Sequence, residues 1–314
     1  MVRGNKSTRT PAKPAQNWVM FLAISLFTAL LIVQLQSVNF AHSITEAGLV
    51  TTVDSPSVHV AAETGTITVA KPPPRKTQAI ACQRAVPPQL HKSQWQEDQH
   101  LLTWFNNVCN GTYIEMGGLD GVKFSNSHVF NKALDWKGVH VEADPRNYKN
   151  LVKNRPNEIA NVHAGVCLED RDLHWVHVPH DAAVCGFLEF AAEDFKKKHW
   201  RPFMIKRAKV VKCRRFENIL HEVVGDSFHF DFFSLDIEGA ELLALQSLNF
   251  NEYQFGVILV EADGANGRKD QAIKTILHRA GYTFIGTINR SNWFVNDNFD
   301  LIYDDVIYDD KKEG

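Results

Sequence analysis

The stretch Tyr113-Ile-Glu-Met-Gly-Gly-Leu-Asp-Gly121 limits the possible folds of this chain more than any other. A short apolar strand runs into a turn with glycines at 117, 118 and 121, and an acid stands on each side of the glycine pair. Glycines at such a turn let a ligand lie directly against the backbone, because no Cβ intervenes. Val139-His-Val-Glu142 follows, a second strand that ends in a carboxylate 25 residues after Gly117. A strand, a glycine turn, a helix and an acid-ended strand form half of a nucleoside-binding sheet. In that arrangement the acid accepts hydrogen bonds from ribose hydroxyls.

A dinucleotide turn would read G-x-G-x-x-G, whereas this one reads Glu115-x-Gly117-Gly118-x-Asp120-Gly121. An acid two residues before the glycine would repel a pyrophosphate. It suits a ligand with a cationic amino group or a sulfonium, and S-adenosylmethionine has both. Glu115, Gly117, Gly118, Asp120 and Gly121 are therefore candidate cofactor contacts, with Glu142 as the ribose acid. Two plainer readings stand beside these: a tight turn with no ligand, and a solvated Glu142 before a helix. Asp144-Pro145 is a good N-cap and N1 pair for that helix, and it uses different residues from the ribose reading.

The third segment is Phe230-Asp-Phe-Phe-Ser-Leu-Asp-Ile-Glu-Gly-Ala-Glu241, an apolar strand ending in Asp236 and Glu238 with Gly239 at the turn. In an open parallel sheet, ligands bind beyond the carboxyl ends of the strands. Clustered carboxylates raise one another's pKa, so one of them can serve as a general base. They can also hold a divalent cation. Glu241 fits a first-turn helix acid that favours the dipole, and Asp236 and Glu238 fit a site.

With these segments in place, the chain resembles an FkbM-type methyltransferase, a branch of the class I S-adenosylmethionine-dependent enzymes. The resemblance rests on residues 113–127, on 136–145 (Trp-Lys-Gly-Val-His-Val-Glu-Ala-Asp-Pro) and on 231–241. Val257-Ile-Leu-Val-Glu261 and Ala280-Gly-Tyr282 also fit, so it covers roughly 110–297. It implies an α/β, Rossmann-like, seven-stranded, mostly parallel sheet with helices on both faces and an antiparallel last strand. It also implies methyl transfer to a hydroxyl, often on a sugar or polyketide. Glu115, Gly117 and Gly121 match the cofactor turn, Ser125 and Asn126 the helix start that follows, and Glu142 the ribose acid. Asp236 and Glu238 match the fourth-strand signature and are the expected catalytic pair, with Asp236 also near the cofactor. The chain departs from the pattern at Cys185-Gly186, where such proteins often have Ser-Gly. Gly165 and Cys167 also give the third strand an unusual end.

Outside this core, Trp18 to Leu35 is an apolar run interrupted by few polar residues. As a helix at ~1.5 Å per residue it reaches about 27 Å, the thickness of a thin early-secretory bilayer. Arg3, Lys6, Arg9 and Lys13 precede it and only Glu46 and Asp54 carry charge just after it. The positive-inside rule then gives a cytosolic tail (1–17), a signal-anchor (18–35) and a lumenal remainder. A cleaved signal peptide is the competing reading, but its apolar part would be unusually long. Residues 36–83, with Lys71-Pro-Pro-Pro-Arg75, form an expected extended stem. The domain is expected over 84–303, with an insertion at 167–229 covering the active face and a frayed acidic end at 304–314.

Expected strands are 112–117, 138–143, 159–166, 230–236, 256–262, 282–288 and 292–296. Expected helices are 93–108, 121–134, 145–154, 191–201, 215–224, 239–248 and 268–280. The chain has 34 Lys and Arg against 36 Asp and Glu, a formal charge of −2, which gives no nucleic-acid footprint. Its five cysteines show no zinc spacing, and in an oxidising lumen they allow one or two disulfides with at least one thiol left over. His174 and His177 have no carboxylate or cysteine at ligand spacing, so no metal site is expected beyond a possible cation at Asp236, Glu238 and Glu261. The basic run Lys196-Lys-Lys-His-Trp-Arg201 fits either a solvated helix face or an anionic substrate.

These features together point to a single-pass O-methyltransferase of the reticulum or Golgi lumen acting on a glycan hydroxyl. Two alternatives remain at this level. One is a methyltransferase-fold membrane protein that binds without catalysis. The other is a lumenal glycosyltransferase, for which Asp236-Ile-Glu238 is a loose echo of an Asp-x-Asp motif.

Overall fold

The structure is a computed structural model, described here over residues 80–82, 84–105, 108–179, 184–191, 193–262 and 267–307. The expected tail, anchor and most of the stem lie outside the described residues. Among the described residues, no helix is long and apolar enough to cross a membrane.

Strand β1 (Ile80–Ala81) pairs antiparallel with β2 (Val108–Cys109), and the Cys82–Cys109 disulfide fastens them. The folded domain therefore begins before residue 84, inside the expected stem. Between these strands lies helix α1 (Glu97–Phe105), shorter than the expected 93–108. Next come β3 (Thr112–Met116), α2 (His128–Leu134), β4 (Lys137–Glu142), α3 (Pro145–Asn154) and β5 (Ala160–His163). Helix α3 matches its expected bounds because its start is chemically specified. Asp144 accepts hydrogen bonds from the Arg146 and Asn147 amides, and Pro145 occupies the first turn. Helix α2 starts well after the expected residue 121, because Gly121 and Phe124 both adopt positive φ.

The expected strand 159–166 breaks at Ala164. Strand β6 (Gly165–Val166) leaves the main sheet and joins β7 (Arg171–Val176), β8 (Gly186–Phe187) and β9 (Lys209–Arg214) in a four-stranded sheet of order β6-β9-β7-β8. Gly165 is packed so closely against Phe187 and Cys213 that a Cβ there would lie 2.5 Å from the Phe187 ring. The Cys167–Cys213 disulfide closes a 46-residue separation across this sheet. A loop of that length stabilises by up to about 4 kcal/mol in the chain-entropy account. Helices α4 (Glu193–His199) and α5 (Pro202–Lys206) lie between β8 and β9, where one basic helix was expected.

Helix α6 (Phe216–Val224), assigned from sequence to the insertion, packs in the main core through Phe216, Ile219 and Leu220. The inserted sheet thus occupies 165–214 rather than 167–229. The chain continues through β10 (Phe228–Leu235), α7 (Glu241–Gln246), β11 (Tyr253–Glu261), α8 (Gly267–Arg279), β12 (Tyr282–Ile288), β13 (Ser291–Asn296) and α9 (Phe299–Ile307). Helix α9 runs past the domain end expected at 303.

The main sheet has seven strands in the order β12-β13-β11-β10-β3-β4-β5. All neighbours pair in parallel except β13, which is antiparallel to both β11 and β12. Side chains alternate across the sheet, so one strand feeds two cores. From β10, Phe233 packs with α6, α7 and α8, while Phe232 packs with α1, α2 and α9. The expected class I architecture is present, with helices on both faces. Its strand order reverses between β3 and β10, and that reversal opens a crevice at their carboxyl ends.

Candidate active site

Two turns meet at this crevice, one after β3 and one after β10. The Asp236 amide donates to the Met116 carbonyl (3.1 Å). A Cβ on Gly117, whose φ is +86°, would lie 1.7 Å from the Asp236 carbonyl oxygen. A Cβ on Gly118 would meet the Glu115 carboxyl carbon at 2.8 Å, and one on Gly121 would meet Arg155 and Leu151 at 2.6 and 2.7 Å. All three glycines are thus required by protein packing, which replaces the expected reason of room for a ligand. The open position is Gly239, with φ +109° and nothing within 4 Å of a built Cβ.

Glu115 is only 2% exposed and points beneath its turn. Its oxygens accept hydrogen bonds from the Ser125 hydroxyl (2.7 Å), the Ser127 hydroxyl (2.6 Å) and the Asn126 amide. Glu115 and Ser125, expected as cofactor contacts, are here bonded to each other beneath the turn. Asn126 bridges two elements, donating from Nδ2 to Ser234 (2.9 Å) and accepting from Ser93 (2.6 Å). Asp120 Oδ1 accepts from the Val122 and Lys123 amides and shapes the turn.

Below the turn lies a buried ionic layer that the sequence pattern did not single out. Arg155 donates to the Gly121 carbonyl (2.8 Å), Ser125, Ser127, Tyr113 and Glu158. Burial opposes the charge of Glu158, but contacts with His140, Arg155 and Tyr113 outweigh it and bring its carboxyl down to about 2. A single Arg or Glu at 155 and 158 has no periodicity to mark it, and only the tertiary fold brings these residues under Gly121.

Glu142 ends β4 as expected and is buried. Its Oε1 accepts from the Asp144 amide at 2.7 Å, and the Leu119 amide of the glycine turn also bonds it. Burial raises its carboxyl to about 8, against the pull of these amides. The structure thus brings the predicted ribose acid onto the predicted turn.

The second turn is arranged differently. Glu238 has φ +54° and is exposed. Glu241 is fully buried, its Oε1 accepting from the Ile237 and Gly239 amides and its Oε2 from Lys269 (2.9 Å). It stands in the first turn of α7, as expected, and also pins the loop. Asp236 keeps a wetted outer side, yet protein crowds its carboxylate from the others. That crowding, and then Glu238 and Glu241, raise its carboxyl. Glu261, at the end of β11, rises with it through burial and then Asp236, while Arg290 at 3.3 Å opposes the shift. The Asp236 and Glu261 carboxylates lie within 4.8 Å of each other, so each disfavours the other's charge. Glu261 and Arg290 belong to this site although neither stands in the 231–241 segment.

Carboxylate oxygens of Asp236, Glu241 and Glu261 lie within 4.8 Å of one another. This is a different trio from the expected Asp236, Glu238 and Glu261, and Glu241 already has both oxygens engaged. A second group joins Asp144, His177 and Cys185 within the same distance. His177 lacked a partner at sequence spacing, but the fold supplies Asp144 at 2.6 Å. Cys185 stands outside the two disulfides, which use the other four cysteines.

Comparison with known proteins identifies the family. The methyltransferase FkbM domain family model matches residues 115–284, more than half the chain and both turns. Among solved structures, methyltransferase FkbM from Methylobacillus flagellatus KT is similar at 13% identity and a TM-score of 0.34, over 59% of this chain and 43% of that one. The chain therefore spans less than half the length of that protein. Precorrin-6y C5,15-methyltransferase from Geobacter metallireducens GS-15 is similar at 11% identity and a TM-score of 0.36, over 67% and 90%. Aeropyrum pernix fibrillarin, in complex with natively bound S-adenosyl-L-methionine, is similar at 11% identity and 0.32, over 60% and 67%. No curated protein matches the chain. With the family model spanning both strand-end turns and the acid of β4, the chain belongs to the FkbM methyltransferase family.

Proposed function

We propose that this protein is an S-adenosylmethionine-dependent O-methyltransferase whose acceptor is a hydroxyl of a sugar or glycan. The observation that carries the reading is the cluster of Asp236, Glu241 and Glu261 carboxylates at the strand ends, with Asp236 packed beside Gly117. An acceptor hydroxyl loses a proton as it is methylated, and a carboxylate with a raised pKa is suited to receive it. Asp236 takes that proton on its carboxylate, and Arg290 limits how far the charge of Asp236 and Glu261 can be suppressed. The exposed Glu238 stands at the entrance, where it orients the acceptor.

The residues fit the cofactor. Glu142, buried and protonated more readily than an ordinary acid, becomes a strong acceptor for a ribose diol once ionised. Its bond to Leu119 holds it against the glycine turn. Gly239 leaves the facing wall open. Bound S-adenosylmethionine supplies an electrophilic methyl group. Everything else asked of the chain is orientation and proton acceptance, and orientation accounts for the larger share of such catalysis.

The same reading places the domain in the secretory lumen, carried by a single-pass anchor at 18–35 with a cytosolic N-terminus. Two disulfides support an oxidising compartment. The functional test is transfer of labelled methyl from S-adenosylmethionine to glycans by the full chain, with the product bond identified by NMR. A methyl found on nitrogen or carbon, or no cofactor binding by calorimetry at millimolar ligand, would sink the O-methyltransferase reading. Protection of the C-terminal domain from protease in sealed microsomes tests the topology.

A further inference from the structure

A basic groove lies between α3 and the inserted sheet. Arg146, Lys149 and Lys153 stand on one face of α3, at the spacing that aligns side chains along a helix. Arg207 and Lys209 face them from the segment that enters β9, and Trp175 and His177 close the end. Together they line an open groove of about 320 Å³. None of the five Lys and Arg side chains has a carboxylate within 4.0 Å among the described residues. The one acid in the lining, Asp144, is already engaged. Its Oδ1 accepts from the Arg146 and Asn147 amides, and its Oδ2 from Trp175 Nε1 (3.1 Å) and His177 Nδ1 (2.6 Å). Five like charges converging on one groove repel one another, and an anion relieves that repulsion.

We propose that this groove binds a sulfate or phosphate ester carried by the acceptor glycan. The assignment rests on the methyltransferase reading for the word acceptor, and on the groove alone for the anion. The groove starts at Asp144, whose amide bonds Glu142, so an ester held there sits beside the nucleoside end of the crevice. Lys and Arg together supply both point charge and planar donors for tetrahedral oxyanions. The half-buried indole of Trp175 offers an apolar wall for a sugar ring. A nucleic acid fits less well: the basic surface is one groove rather than a track, the chain is acidic overall, and its two disulfides belong to an oxidising compartment. The same five cations oppose a metal ion at Asp144, His177 and Cys185.

Calorimetry of the full chain with a sulfated hexasaccharide, its phosphorylated counterpart and the unesterified sugar tests the proposal. At least one ester is expected to bind tenfold or more tighter than the neutral sugar, with affinity falling as salt rises. The tighter of the two esters names the source of the anion. The paired reversal Lys149→Glu and Lys209→Glu is expected to weaken ester binding at least tenfold while leaving the melting temperature and S-adenosylhomocysteine affinity unchanged. Equal binding of esterified and neutral sugar overturns the assignment. So does an unchanged ester affinity in the reversal variant, or tighter binding of single-stranded RNA of equal charge. Loss of S-adenosylhomocysteine binding in the parent chain would count against the methyltransferase reading alone, since the ester titrations need no cofactor.

Discussion

The two turns that flank the crevice begin almost alike. Glu115-Met-Gly117-Gly118 ends β3 and Asp236-Ile-Glu238-Gly239 ends the adjacent β10, each with an acid just past or within the last strand residues. Their acids meet opposite environments. Glu115 lies inside the strand on its inward face, where Ser125, Asn126 and Ser127 saturate it and Arg155 lies close by. Asp236 lies one residue past the strand, its amide still bonded to Met116, and its carboxylate stands among those of Glu241 and Glu261. An ionised carboxylate with several donors is a structural anchor. A carboxylate crowded by like charge is a proton acceptor. By register Glu115 stands opposite Ser234, so Asp236 lies two positions farther along, past the last paired residue, and the partners there rather than strand alternation set its environment.

The largest expected effect tests this contrast on the reactive side. Asp236→Asn should lower methyl transfer by about 10²–10⁴-fold, the usual range for a general base, with no loss of thermal stability. Unchanged turnover would remove Asp236 from the chemistry. On the scaffold side, Glu115→Gln should cost roughly 1–3 kcal/mol in urea unfolding, because an amide replaces one acceptor oxygen of a buried carboxylate that takes the Ser125 and Ser127 hydroxyls, and Arg155 loses a nearby opposite charge. A Glu115→Gln protein that unfolds like the parent but binds no cofactor would break the comparison and return Glu115 to the ligand.

A pH experiment separates the same two classes. Two buried acids with lowered pKa, Glu158 and Asp144, stabilise the fold fully above about pH 4.5 and lose that contribution as pH falls. Glu142 behaves in the reverse sense. Between about 4.5 and about 8 the native state keeps a proton on Glu142 that the unfolded chain has lost, so its contribution falls as pH rises. His100 and His128, lowered chiefly by burial, slope the other way near neutrality, so the difference between variants is the clean measure. Chemical denaturation of Glu142→Gln across this window should differ from the parent by up to about 1.4 kcal/mol per pH unit. Parallel curves would mean that Glu142 is ionised throughout.

The smallest effect concerns Glu238. A non-glycine residue in the left-handed region costs roughly 1–2 kcal/mol, which glycine avoids at some cost in chain entropy. Glu238→Gly should therefore change the unfolding free energy by less than about 1 kcal/mol. A drop in turnover with that small change would make Glu238 an acceptor-orienting group, and full activity would leave Asp236 and Glu261 to act without it.

Much of the fold was legible because its signals are local. Apolar runs of strand length, a glycine turn and the Asp144-Pro145 helix start each act within a few residues, and α3 forms at its expected bounds. The misreadings came where distant residues override local pattern. Residues 159–166 look like one strand, yet the packing of Phe187 and the Cys167–Cys213 bridge draw Gly165 into another sheet. Residues 121–127 carry helical pattern, yet Glu115 collects the donors at 125–127 and holds them in a turn. Within the site, the sequence pointed to both turns, to Glu142 and to Glu261, while Arg290, Arg155 and the Asp144 partner of His177 gained their places only through pairing across strands and sheets.

The sequence by itself determined the sheet class, the two glycine-bearing turns and the acids at the strand ends, because each depends on residues close together in the chain. Only the tertiary structure decided which acid is saturated by donors and which is crowded by other acids, and why each glycine is required. Protonation and packing depend on the partners that surround a group, and here those partners arrive from β4, β11, α3 and the β12–β13 turn.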